Sequence, residues 1–285
     1  MKNPAKPNAS SYCNYNDTFK IYDQLRQPNG MQEILHIFRQ TRIPVEKQTA
    51  LEGGFGTGVY IDHFRHHVKE IHGVEGSEQG FEKARQKMGN AENVHLQIGN
   101  ILKLGFSDDF FHAYMVNQVL HHLDTELSYP NLNLFLKESR RVLKPGGVLV
   151  INTSSREQLD PHSGIYWSYQ YIEKAVHKIQ ARYIPVHELI SRLEELQFTD
   201  IKTTTPSGRL FQNEYYRNPG LILDPNFQKG DSVYCFLSEN ELNEANARVR
   251  SDMEDGSVHQ QMDQASQRAK KIGESVIISA RKPGN

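Results

Sequence analysis

Apolar residues first recur with a helical period between Thr18 and Phe38. Ile21, Leu25, Met31, Ile34, Leu35 and Phe38 flank a Pro28-Asn29-Gly30 break, which predicts two short helices. A brief apolar approach, Ala50 and Leu51, then ends at Glu52 and a glycine turn, and a helix follows from Thr57 to Val68. Strand-like blocks come next at Glu70–Glu75, Asn93–Asn100, Phe110–Gln118 and across GVLVINTSS, with helices over Ser77–Met88 and about Leu132–Leu143. Val94, Leu96 and Ile98 alternate as a half-buried strand should, whereas GVLVINTSS is almost continuously apolar, as a strand buried on both faces should be. Ser77 reads as a helix N-cap, and Lys144-Pro145-Gly146-Gly147 stops the long helix.

Strand alternating with helix five times predicts a doubly wound, mostly parallel α/β sheet with ligands at the carboxyl ends of the strands. After the fifth strand comes a connection holding Trp167 beside Tyr166, Tyr169 and Tyr171, then an amphipathic helix at His187–Leu196 and a sixth strand, FTDIKTTTP. An excursion of about 67 residues, Ser207 to Gly273, precedes the final strand ESVIISARK. It is too apolar in places for a solvated linker, and Ser238 with Glu241 marks a capping box inside it.

Composition narrows the class. With 285 residues, 37% hydrophobic and 24% charged, the chain reads as an ordinary soluble protein. A net charge of −1, with no basic stripe, argues against a nucleic-acid partner. No apolar run approaches the ~20 residues of a membrane span, and the first residues read as a polar tail rather than a signal peptide. Cys13 and Cys235 are far apart and lack metal-ligand spacing, so two free thiols in a cytoplasmic setting are expected. His63, His66 and His67 read as a solvated helix face.

Candidate chemistry gathers at the predicted strand ends, at Glu52, Glu75, Asn100 and Asn117. Gly53, Gly54, Gly56 and Gly58 follow Glu52, and such a turn lets a ligand touch bare main chain. Glu75, at the end of the second strand and followed by Gly76, can accept both hydroxyls of a ribose. Tyr22 and Arg26 share one helical face. They are either a packing pair or a contact for a ligand carboxylate leaning over the turn.

These motifs resemble the class I S-adenosylmethionine-dependent methyltransferases over roughly residues 20–282. The likeness rests on the acidic residue before GxGxG, the carboxylate ending strand two, the strand-four run NQVLHHL, the LKPGG turn and a last strand like the family's reversed seventh. It implies a Rossmann-like sheet with a reversed last strand, S-adenosylmethionine as cofactor, and Asn100 with Ile101 beside the adenine. It also implies that the methyl group projects past strand four, where His121 or His122 could serve as base. Phe55 in the turn, Asn100 for the common aspartate and Glu52 for aspartate depart from the family's usual pattern.

The expected activity is methyl transfer to a small molecule by a monomer or homodimer. An NAD-dependent oxidoreductase and a non-catalytic cofactor-binding partner are the alternatives. The expected division is a tail with lid helices (1–45), a core (46–206 and 273–285) and an inserted cap or interface segment (207–272). Trp167, Tyr215 and Tyr216 would face the acceptor.

Overall fold

The computed structural model describes residues 28–206 and 218–284. Seven strands form one sheet: β1 (Thr49–Gly53), β2 (Glu70–Glu75), β3 (Val94–Ile98), β4 (Phe111–Asn117), β5 (Leu143–Thr153), β6 (Thr199–Thr204) and β7 (Val276–Arg281). Their order is β3-β2-β1-β4-β5-β7-β6. Every pairing is parallel except those of β7, which runs antiparallel to both β5 and β6. This is the Rossmann-like sheet with a reversed last strand that the sequence predicts. The strand order reverses direction between β1 and β4, so a crevice opens where their carboxyl ends part.

Helices cover both faces because each carries one apolar stripe. On one face lie α1 (Met31–Arg39), α2 (Val59–Phe64) and α3 (Glu78–Met88), which bury Ile34, Phe38, Ile61, Phe64 and Ala84 against Ala50, Ile71, Met115 and Val150. On the other lie α4 (Pro130–Val142) and, after α5 (Glu173–Gln180), α6 (Val186–Glu195), with Phe135, Leu136, Leu189 and Leu193 packed on Leu51, Tyr114 and Leu149. Ser77 caps α3, its hydroxyl accepting from the Gly80 amide at 3.3 Å, as its position in the sequence predicts. The helix after the glycine turn is shorter than expected, ending at Phe64 rather than Val68.

Between β3 and β4 the chain makes turns instead of a helix. Side chains hold this crossover: Glu138 of α4 accepts from the Leu104 amide, and Arg141 donates to the carbonyls of Leu104 and Phe106. Those bonds meet backbone demands that a helix would otherwise meet internally.

A third apolar cluster lies apart from the sheet. It joins Leu159, Tyr166, Trp167, Tyr169, Tyr171, Val176 and Tyr183 to residues of α7 (Pro225–Gly230), α8 (Glu239–Asp255) and α9 (Ser257–Ile272), among them Phe227, Val249, Val258 and Met262. The start of α8 carries the reciprocal Ser238–Glu241 capping box. The Tyr171 hydroxyl donates to Asp252 Oδ2 at 2.6 Å, and Arg248 donates to the Tyr171 carbonyl, so polar bonds also bind these segments together. Cys235 is disulfide-bonded, which corrects the expectation of two free thiols. Cys13 lies outside the described residues. Among the described residues no helix is long and apolar enough to cross a membrane.

Candidate active site

The glycine turn follows β1, with Gly54, Gly56 and Gly58 all at positive φ (67°, 55° and 78°), where a side chain would be strained. Glu75 fastens this turn to the end of β2. Its Oε2 accepts from the Gly56 amide and its Oε1 from the Ser77 amide, each at 2.8 Å. Burial pushes the Glu75 carboxyl up from its ordinary range, and the amides of Gly56, Ser77 and Gly76 oppose that rise. Phe55, the unusual residue of the turn, leaves the ligand side clear. Its ring turns into the core below, and a Cβ on Gly73 would come within 2.6 Å of it.

Glu52 ends β1 at 1% exposure. Asn117 Nδ2 donates to its Oε1 at 2.9 Å, and its Oε2 is buried with no hydrogen-bond partner. Burial, with the Glu75 charge adding to it, raises the Glu52 carboxyl to about 8 against the opposing Asn117 bond. Asn117 is itself held: Asn152 Nδ2 reaches its Oδ1 at 3.4 Å and the Asn29 carbonyl at 3.2 Å. The Asn29 amide donates to the Tyr60 hydroxyl at 3.0 Å. A polar chain therefore runs from the carboxyl ends of β1, β4 and β5 to the segment before α1. Asn29, Tyr60 and Asn152 were not singled out in the sequence. Their signal was slight, since an asparagine at the end of β5 matters only once β5 is known to lie beside β4.

Asn100 is exposed just beyond β3, and its Oδ1 accepts from the Leu102 amide at 2.9 Å, so the expected adenine contact shares that oxygen with a local turn. Ile101 beside it is buried, next to Leu51 and Val74 in the core. Tyr22, Arg26, Tyr215 and Tyr216 lie outside the described residues.

A small cavity opens immediately after Asn117. Gln118, His121 and Ser154 line its sheet side, Leu159, Tyr166, Tyr169, Ile179 and Tyr183 its walls, and Asp231 and Ser232 its far side. Gln118 holds φ 55°, sparsely populated for a residue with a side chain. Its amide donates to the Asn152 carbonyl at 2.8 Å, which sustains the turn. The His121 ring stacks on Tyr183 at 4.5 Å and 14°, and His122 lies against its other side at 3.8 Å. His121 lines the cavity; His122 does not. Trp167 is 3% exposed in the third apolar cluster, edge-on to Tyr171, and is not a lining residue. The Trp167 segment meets the cavity through Tyr166 and Tyr169 rather than through Trp167 itself. Asp231 gave no signal in sequence beyond its place after Gly230.

Residues 51–151 match the methyltransferase domain family. Demethylmenaquinone methyltransferase of Staphylococcus aureus is 32% identical over 100 residues, which are 35% of this chain and 39% of that protein. The chain thus spans about two fifths of the length of the curated relatives it matches. Among solved structures, a protein described as a methyltransferase of an antibiotic biosynthesis pathway from Anabaena variabilis superimposes with a TM-score of 0.65 at 17% identity, covering 89% of this chain and 97% of that one. Phosphoethanolamine N-methyltransferase 2 of Haemonchus contortus gives 0.52 at 14% identity, over 88% of this chain and 52% of that one. These distant likenesses speak for the fold alone. Residues 51–151 therefore match a methyltransferase domain, and the sheet with its reversed seventh strand has the fold of the class I S-adenosylmethionine-dependent methyltransferases.

Proposed function

We propose that this protein transfers a methyl group from S-adenosylmethionine to a small-molecule acceptor held in the cavity beyond β4. One observation carries the reading: the cavity begins at Gln118, the residue next to the one that orients Glu52, so a donor at the glycine turn and an acceptor in the cavity would be neighbours.

The residues present suit the cofactor. Glu52 Oε2 is a buried acceptor with no partner in the protein, matched in chemistry to the ammonium of an amino acid. The Glu75 oxygens each keep a second lone pair that could accept from a ribose diol, and the glycines of the turn would allow close approach to main chain. Ile101 would wall the adenine beside Asn100. When bound, S-adenosylmethionine supplies a methyl group on a sulfonium that departs as a neutral thioether.

The protein's remaining task is placement, with the acceptor atom about 3–3.5 Å from the methyl carbon. His121 is the residue able to take a proton from that atom, its ring fixed in a stack with Tyr183. A lining that includes Tyr166, Tyr169, Tyr183 and Asp231 favours a flat or cationic acceptor group. We assign the described part of the excursion, residues 218–272, the role of a cap. Its α7–α9 share an apolar cluster with the Trp167 segment and contribute Asp231 and Ser232 to the cavity. Water exclusion under such a cap favours a small acceptor over a macromolecular one.

Binding and turnover test the proposal separately. Calorimetry with S-adenosylhomocysteine and with NAD distinguishes the cofactor, and tight NAD binding would overturn it. Release of labelled methyl product from a panel of amines, phenols and quinols then tests for an enzyme. Cofactor binding with no product from any acceptor would favour a non-catalytic partner protein.

A further inference from the structure

A second cluster of chemically able side chains lies at the opposite end of the sheet, and methyl transfer has no use for it. Glu70 and His72 are two apart on β2, so the period of two places them on one face. His95 is the direct register partner of His72 on β3. Three ligand-type atoms converge there. Glu70 Oε2 is 4.0 Å from His72 Nε2 and 3.7 Å from His95 Nε2, and all three lie within 4.8 Å of one another. Among the described residues these three form the metal-competent group, whereas His63, His66 and His67 of the HFRHH run do not converge in this way.

Two further features support a ligand here. His72 Nε2 is buried without a hydrogen-bond partner among the described residues. The Glu70 carboxylate is also pre-oriented. Thr49, its register partner on β1, donates its hydroxyl to Oε1 at 2.8 Å and leaves Oε2 to face the two imidazoles. A hydroxyl that fixes a carboxylate from behind is the kind of outer support metal ligands receive. Phe106, Phe110 and Phe111 close around His72 with ring centroids 5.4–5.6 Å away and fix its plane.

We propose that Glu70, His72 and His95 form a binding site for a first-row divalent metal ion of the zinc type, separate from the methyl-transfer site. Two imidazole nitrogens and one carboxylate oxygen are a zinc donor set, with the exposed side left for water. In a tetrahedral site with bonds of about 2.0–2.1 Å the ligand atoms stand roughly 3.3 Å apart, so the observed separations need to close by at most ~1.5 Å. Rotation of the half-exposed His95 ring supplies that movement. The ion would clasp β3 to β2, and β3 leads directly into Asn100 and Ile101.

The test uses the full chain, stripped with a chelator and titrated with Zn²⁺ or Co²⁺. The expected result is one tightly bound equivalent, with Co²⁺ giving the visible absorption of a tetrahedral site. His95→Ala, at an exposed position that leaves the fold intact, and Glu70→Gln should each weaken binding at least tenfold. S-adenosylhomocysteine affinity should be retained in both variants, as a check on the fold. Two results would overturn the proposal: no stoichiometric binding by the native chain, or binding that both variants leave unchanged, which would put the ion elsewhere.

Discussion

Replacing Glu52 by glutamine isolates the most unusual electrostatic feature of the site. The native carboxyl, held near 8 by burial, keeps its proton in the folded chain across a range where the unfolded chain has released it. The folded state therefore binds more protons than the unfolded state between about pH 4.5 and 8, and stability falls as pH rises through that window. At pH 7 the gap of roughly 2.5 units corresponds to about 3 kcal/mol lost relative to acid conditions. Glutamine copies the protonated form in shape and keeps an oxygen for Asn117 Nδ2, but it does not titrate. Cofactor-free Glu52→Gln should match the native protein near pH 5 and exceed it at pH 8, with a Tm difference of at least about 5 °C. Urea or thermal unfolding from pH 5 to 8.5 measures this. The histidines whose titration is also shifted are common to both proteins, so the difference curve reports Glu52. Parallel curves at every pH would refute the argument and return Glu52 to an ordinary carboxylate.

Three further outcomes follow from the site and its support. Glu75→Ala should weaken S-adenosylhomocysteine binding at least ~10-fold by calorimetry, since each charge-assisted bond contributes about 1.5–3 kcal/mol. His121→Ala should lower kcat with little change in cofactor affinity, and added imidazole should restore part of the rate; an unchanged kcat would leave His121 a packing residue. Gly73→Ala should destabilise the fold by about 1–3 kcal/mol in urea unfolding, because its methyl would meet the Phe55 ring. In a Phe55→Ala background that penalty should shrink, which a double-mutant cycle would register as coupling between the two residues.

The glycine turn and its surroundings were legible in sequence because their structural requirements are local. A glycine turn, a carboxylate at a strand end and a helix cap each occupy a few adjacent positions, so Gly54 to Gly58, Glu75 and Ser77 could be read directly. Long apolar blocks likewise gave the strands that are buried in the sheet, β1, β4 and β5. The path from β3 to β4 had no pattern to read, because tertiary bonds from Glu138 and Arg141 decide it. No local pattern records a side chain arriving from more than 30 residues away.

The same reasoning explains why the cavity beyond β4 was only half visible. Its lining comes from Gln118, Ser154, the tyrosines between 166 and 183, and Asp231, segments that share no sequence neighbourhood. Each residue is ordinary until the fold brings them together. Asn117 shows the contrast within a single position. Its location at the end of β4 marked it as special in sequence, but its role is to join Glu52 to Asn152 rather than to line the cavity. The glycine turn has one demand that the sequence must meet locally, bare main chain. The cavity's demands are met by whichever segments the fold happens to bring within reach, so a change of acceptor need alter only scattered single residues in the cap and connections. In this architecture the cavity lining can vary while the turn, Glu52 and Glu75 stay in place, because no residue of 218–272 takes part in holding that turn among the bonds described.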